Sequence, residues 1–307
     1  MSNNGGGLKY LEHKNIDYNR WDECVENADN SRVYAMSWHL DRTAEIWDAL
    51  VFGDYNFVMP LPVGKKWGIK YLYQPFFSQQ LGIFPSPPDE VAQLIYTKIL
   101  SEFRYSDVQI NARNPVLTVE NTEFVLRKNY LLNLDKQYQE IAKGYSTNTK
   151  RNVSKAAKKD LQYVAGLRLE DYLEFKKKNL QAPLVEKNFK RLKSIIAVGQ
   201  YKGIGEISGV YTSDNKLCAA VYFCRWNDRL IYMNAATSEL GKEVGGMFFL
   251  LDRFIRSSAG TGMTLDLEGS MIPGVARFYS GFGARAESYH QLKINRLPLP
   301  VKWLKRK

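Results

Sequence analysis

The residues best suited to do chemistry fall in the C-terminal half of the 307-residue chain. Gly241, Lys242, Gly245 and Gly246 lie within the stretch SELGKEVGG, which leads into a strongly apolar helix. Glycines let a backbone turn its N–H groups outward, and the start of a helix adds free N–H groups and the positive end of its dipole. With Lys242 adding a cation, such a loop can hold a pyrophosphate. Its spacing is neither a Walker A nor a dinucleotide fingerprint, so an ordinary loop entering a helix remains an open alternative. Downstream, LDLEGSMIPGVARFYSGFG contains Glu268, Ser270, Arg277 and Tyr279. Acidic, hydroxyl and basic side chains gathered in one stretch suit proton transfer and the holding of a charged group. Tyr279 can supply a proton or pack beside Phe278. Glu268 can take a proton or position a cationic group, or cap the next helix. Ser270 binds substrate or caps the same helix. Arg277 pairs with a substrate carboxylate or phosphate, or with Glu268.

Charge points to an anionic partner. The chain carries 43 Lys and Arg against 32 Asp and Glu, a formal net charge of +11. From Lys136 to Lys193 there are fifteen basic residues against six acidic ones. Lys150 and Arg151, in this run, can bind a phosphate-bearing acceptor or form a solvated face. In the N-terminal half, the adjacent amides Gln79 and Gln80 stand out; one of them is expected at a substrate cleft between the halves, with aromatic core packing as the alternative. The three cysteines form no disulfide framework or CxxC pattern, and the three histidines are far apart, so no metal site is expected. No Ser-His-Asp or Cys-His signature is present.

Periodicity supplies the elements that must position these residues. Strands are expected at Leu8–Leu11, 47–51, 56–62 and 68–74, with a Gly-Lys-Lys turn at 64–66. A helix capped by Asp17 follows the first strand. Val91, Leu94, Ile95 and Ile99 mark the buried stripe of a later helix, before a strand at 107–112. One basic helix is expected over 138–159, with the domain boundary beside it. Then come a strand at 161–164, two helices, three antiparallel strands ending at Arg229–Thr237, the loop 238–246, an apolar helix, a strand ending at Glu268 and a short helix opened by Pro273. The halves share this order, as a duplicated fold would. No apolar run spans a bilayer, and residues 1–7 form a polar lead expected to be disordered, so a cytoplasmic location is expected.

The meander, Gly-bearing loop, helix and strand in this order resemble the GNAT acyltransferase fold. LDLEGSMIPGVARFYSGFG and the basic YSTNTKRNVSKAAKK at 145–159 resemble the FemAB-like branch, whose members carry two such domains. The resemblance implies an α/β fold of the α+β type. It would have two tandem GNAT-like domains at 8–145 and 146–307, each a mixed, mostly antiparallel central sheet flanked by helices. It implies an N-acyltransferase that moves an acyl or aminoacyl group to an amine. Acyl-CoA or aminoacyl-tRNA would be the cosubstrate, with no permanently bound cofactor. The partner would be an anionic small molecule or carrier-linked substrate, with tRNA among the carriers. The first half has Phe84-Pro85-Ser86-Pro87-Pro88-Asp89-Glu90 where the loop would be; proline lacks an N–H and the acids repel phosphate, so the second half is expected to hold the donor. The chain lacks the inserted helical hairpin of some Fem proteins. Two other classes stay open: a nucleic-acid-binding protein using the basic helix, and a degenerate fold that binds a ligand without turnover.

Overall fold

The computed structural model describes residues 7–180, 184–269 and 271–298, so Ser270 and the lead other than Gly7 lie outside it. The chain divides into two compact units, Met1–Arg127 with Ser288–Lys307, and Lys128–Glu287. In chain order the elements are β1 (Leu8–Leu11), α1 (Tyr18–Glu26), α2 (Ser37–Thr43), β2 (Trp47–Phe52), β3 (Phe57–Lys66), β4 (Ile69–Tyr73), α3 (Asp89–Glu102), β5 (Tyr105–Ile110) and β6 (Thr122–Asn133). There follow α4 (Tyr138–Lys143), α5 (Thr147–Ala157), β7 (Gln162–Ala165), α6 (Leu169–Lys178), α7 (Glu186–Tyr201), β8 (Gly205–Tyr211), β9 (Leu217–Trp226) and β10 (Arg229–Thr237). The last are α8 (Glu239–Val244), α9 (Gly246–Ser258), β11 (Thr264–Gly269), α10 (Pro273–Gly281) and β12 (Arg285–Asn295).

In the first unit the strands run β1-β2-β3-β4-β5-β12, antiparallel except where β4 meets β5. Its core packs Leu50, Leu61, Ile83, Ile95 and Val108. The Asp17 carboxylate caps α1 by accepting from the Asn19 and Arg20 N–H groups at 3.1 and 3.3 Å. The β3–β4 turn is Trp67-Gly68 rather than 64–66. Lys66 still pairs with Ile69, and the two turn residues have the positive φ of a type I′ hairpin, +49° and +77°. On α3 the buried stripe is Val91, Ala92, Ile95, Tyr96 and Ile99, with Leu94 half exposed. Leu94 falls on the opposite side of a helix whose stripe drifts by 3.6 residues per turn.

In the second unit the order is β7-β8-β9-β10-β11-β6, again antiparallel save for one parallel pair, β10 with β11. The expected helix over 138–159 is two helices. Gly144 ends α4, and the Ser146 hydroxyl starts α5 by accepting from the Thr149 N–H at 3.1 Å. Ile141, Tyr145 and Ala156 are buried in this unit's core with Leu250, Leu265 and Phe282. Residues 128–145, which the expected domain bound at 145 leaves in the first half, fall in the second compact unit. The first unit instead closes its sheet with a strand from the far end of the chain, a pairing no local pattern announces.

Candidate functional site

The site starts from an interruption in the second unit's sheet. β10 and β11 pair over three residues only, Arg229 with Thr264, Leu230 with Leu265 and Ile231 with Asp266. At this end Arg229 Nη1 and Asp266 Oδ2 form an ion pair of 2.8 Å, with the Asp266 side chain 2 % exposed. Beyond it both strands bulge. β10 slips register against β9 between Tyr232 and Asn234, leaving Met233 as the extra residue, and β11 slips against β6 between Asp266 and Gly269. Bulges bend strands and re-aim side chains. β10 continues its pairing with β9 as far as Thr237, so the backbone groups of alternate residues on its other side face an opening.

A cavity of about 750 Å3 occupies this opening. Tyr232 to Thr237 of β10 form one wall and Glu268 stands on the other strand. Met247 and Phe248 of α9, Val275, Phe278 and Tyr279 of α10, and Lys176 and Asn179 of α6 complete it. Glu268 is at φ +57°, a left-handed conformation uncommon outside glycine, asparagine and aspartate. Asp266 Oδ1 holds it there by accepting the Glu268 N–H at 3.0 Å. The Tyr172 hydroxyl donates to Asn234 Oδ1 at 2.7 Å, which fixes the side chain of a residue that lines the cavity. Tyr279 is 9 % exposed and packs on Tyr130 and Tyr232, with ring centroids 6.0 and 5.9 Å away. Burial, and then the charges of Glu268 and Asp266, push its phenol well above the ordinary range, so its proton stays on at neutral pH.

Of the residues expected from sequence, Gly241, Lys242, Gly245, Glu268 and Tyr279 line this cavity together. The stretch holding the glycines is mostly helical. α8 starts at Ser238, whose hydroxyl accepts the Gly241 N–H at 3.0 Å, and ends at Gly245 in a left-handed turn, φ +74°. A Cβ on Gly241 would lie 2.0 Å from the Cys218 carbonyl oxygen, so glycine is needed there for packing on β9. Gly246 packs on Cys218 and Ala219 and is not in the lining. Lys242 pairs with Glu239 at 2.6 Å across the exposed face of α8. Arg277 is exposed on α10 and is not in the lining. Lys150 and Arg151 are exposed on α5, bonded to the Lys143 carbonyl and to Asn148 Oδ1. Ser270 lies outside the described residues.

Gln79 and Gln80 are buried in the first unit, where Gln80 fastens the chain. There β4 and β5 also part after two pairs, Leu72 with Ser106 and Tyr73 with Asp107. The chain itself fills the gap. Leu81 bridges to Ile110, Gln74 Oε1 accepts the Gln109 N–H at 2.8 Å, and Gln80 Oε1 accepts the Ala112 N–H at 3.1 Å.

Sequence reasoning missed Lys176, Tyr172 and Asn234. A signal was present on α6. Tyr172, Phe175, Lys176 and Asn179 follow i, i+3, i+4, i+7 spacing, so a lysine sits on the apolar face. Among the described residues no cluster of three or more His, Cys, Asp or Glu could hold a metal, and no helix is long and apolar enough to cross a membrane.

No protein-family model matches the chain, and no curated protein matches it in sequence. Its fold is nonetheless that of solved proteins. The FemX crystal structure superposes with a TM-score of 0.64 at 10 % identity, covering 97 % of this chain and 100 % of FemX. The C-terminal domain of a putative lysylphosphatidylglycerol synthetase from Agrobacterium fabrum gives 0.56 at 10 % identity over 91 % of each chain. A GNAT-family acetyltransferase from Colwellia psychrerythraea gives 0.52 at 14 % identity, covering 94 % of this chain and 99 % of that one. The chain therefore has the α/β architecture of FemX and GNAT proteins, with large, mostly antiparallel sheets flanked by helices.

Proposed function

We propose that the second unit transfers an acyl or aminoacyl group from an activated carrier to an amine. The observation that carries this reading is the parting of β10 from β11, which opens a strand edge onto a cavity lined by Glu268 and Tyr279. An extended donor pairs its amides with the free edge of β10, as an added strand would. An edge N–H and the Asn234 amide are the donors available to the carbonyl oxygen as charge develops on it. Glu268 attracts the acceptor ammonium and orients the amine. Glu268 takes one proton from that ammonium, the amine attacks the acyl carbon, the bond to the carrier breaks as Tyr279 gives its proton to the leaving atom, and the proton shed by the new amide nitrogen restores the Tyr279 phenol. FemX, the synthetase domain and the acetyltransferase share the fold, and their names support this reaction class.

The carrier is anionic on this reading. The N-terminal end of α9, beside Gly245, offers backbone N–H groups to a phosphate, and acyl-CoA fits that chemistry. Lys150, Arg151, Lys155, Lys158 and Lys159 are all exposed on and just after α5, which favours a second carrier, aminoacyl-tRNA. The test is to incubate the protein with acetyl-CoA, long-chain acyl-CoA or aminoacyl-tRNA and a panel of amines, and to follow carrier release and amide formation by mass spectrometry. Amide formed from one carrier supports the proposal. Absence of amide from all three removes the acyltransferase reading and leaves a ligand-binding fold.

A further inference from the structure

The proposed reaction uses Glu268 and Tyr279 and gives Lys176, which also lines the cavity, no role. Lys176 projects from the apolar face of α6, and its Nζ donates to the Ala235 carbonyl at 2.9 Å, on the open stretch of β10. Burial lowers its ammonium to about 8, and burial is the whole cause, with no charged neighbour contributing. The other titratable groups of the cavity are Lys242, Glu268, Tyr232 and Tyr279. On its own helix Tyr172 is committed to Asn234, while Lys177 and Lys178 are exposed. The inward residues of α7, which packs on α6, are Asn188, Leu192, Ile195, Ile196 and Gly199, none of them charged.

We infer that Lys176 is an acylation site: its amine, standing in the cavity and held at the Ala235 carbonyl, attacks activated acyl groups that enter along β10. The neutral amine adds its lone pair to the carbonyl carbon. A C–N bond forms, and the C–S bond of a thioester or the C–O bond of an acyl phosphate breaks. The proton lost by the nitrogen goes to the departing thiolate or phosphate. No oxidant or reductant is needed. The product is an uncharged amide that cannot pass its acyl group on. It occupies the cavity beside Ala235, so donor in excess over acceptor shuts the site. The ligand class is any small activated acyl compound. The lysine's reactivity stands on the cavity alone, and only the thioester arm of the test rests on the proposed transfer reaction.

The test is site-resolved acetylation of the full-length protein at pH 7.5, read by quantitative peptide mass spectrometry, with Lys177 and Lys178 as internal references on the same helix. Acetyl phosphate decides the inference. Lys176, whose ammonium burial lowers to about 8, is expected to acetylate at least about tenfold faster than its exposed neighbours, of which Lys178 is paired with Glu174 at 2.6 Å. Acetylation of Lys176 at or below the rate of Lys177 and Lys178 overturns it. Acetyl-CoA, run in parallel, decides the thioester arm. Preference for Lys176 with acetyl phosphate but not with acetyl-CoA keeps the reactive lysine and counts against a thioester seat in the cavity. Lys176→Arg, checked for an unchanged melting midpoint, must lose the fast signal and leave the others alone. The wild-type comparison decides the question even if that variant does not fold.

Discussion

Asp266 holds the backbone N–H of Glu268 at 3.0 Å with one carboxylate oxygen, while its other oxygen pairs with Arg229 at 2.8 Å. One buried side chain thus ties the first paired residue of β10 to the last paired residue of β11 and holds the turned backbone of Glu268, which lines the cavity. The cost is a non-glycine residue at φ +57°. Such strain costs on the order of 1 kcal/mol and persists where function needs it. Glu268→Gly is therefore expected to leave stability unchanged or raise it by up to about 1 kcal/mol in urea unfolding, while transfer falls at least about tenfold. A variant both less stable and fully active would show that the strain serves neither purpose.

Tyr279→Phe isolates a proton. The ring keeps its contacts with Tyr130 and Tyr232, so the fold should hold. Because burial and nearby acids keep the phenol protonated, loss of the hydroxyl is expected to lower turnover by about a hundredfold or more with little change in donor affinity. Turnover within about threefold of wild type would assign Tyr279 to packing.

Much of this was legible in the chain. The strands Leu8–Leu11 and Arg229–Thr237 have the same ends in sequence pattern and in structure, because each is a run of strand formers bounded by polar or turn-forming residues. The places of Glu268, near the end of a strand, and of Tyr279, on the helix opened by Pro273, were legible for a similar reason. What could not be read depends on partners distant in sequence. The two bulges are register shifts, of β10 against β9 and of β11 against β6, visible only once the strands are paired. The filling of the first unit's gap by residues 74–84 is likewise a tertiary fact. The break at Gly144 to Ser146 was available locally, as a glycine followed by a capping serine, but was outweighed by the run of helix formers around it.

Gly241 and Gly274 form a matched pair. A methyl on Gly241 meets the Cys218 oxygen at 2.0 Å and Thr237 Oγ1 at 2.7 Å, whereas one on Gly274 meets nothing within 4 Å. Gly241→Ala is expected to cost about 2 kcal/mol by overpacking and Gly274→Ala to be neutral or slightly stabilising in chemical denaturation. Equal effects would contradict the seating of α8 on β9.

His39 makes the fold acid-sensitive. It is fully buried, its Nε2–H donates to the Phe77 carbonyl at 3.0 Å, and Nδ1 has no partner. Burial, with a lesser push from Arg42, lowers it from 6.5 to about 4. A depressed folded-state value means that the unfolded chain binds the extra proton first. The stabilisation is present above pH 6.5 and is lost as pH falls toward 4. Between pH 7 and pH 5 the loss from this group is about 2 kcal/mol. His39→Gln, which keeps a donor for Phe77, should flatten that part of the urea-unfolding profile. An unchanged slope would place the acid sensitivity elsewhere.

The central claim is that the gap between β10 and β11 seats an activated acyl donor. Gly274 lines that cavity and a Cβ there meets nothing within 4 Å, so Gly274→Trp is expected to intrude on the opening. The melting midpoints of wild type and Gly274→Trp, each with and without acetyl-CoA, long-chain acyl-CoA and aminoacyl-tRNA, test the claim most directly. A saturating donor is expected to raise the wild-type midpoint by a few degrees, about 2–4 °C per kcal/mol of binding linkage, and to leave Gly274→Trp unmoved. No shift in the wild type with any donor, or the same shift in both proteins, would contradict it.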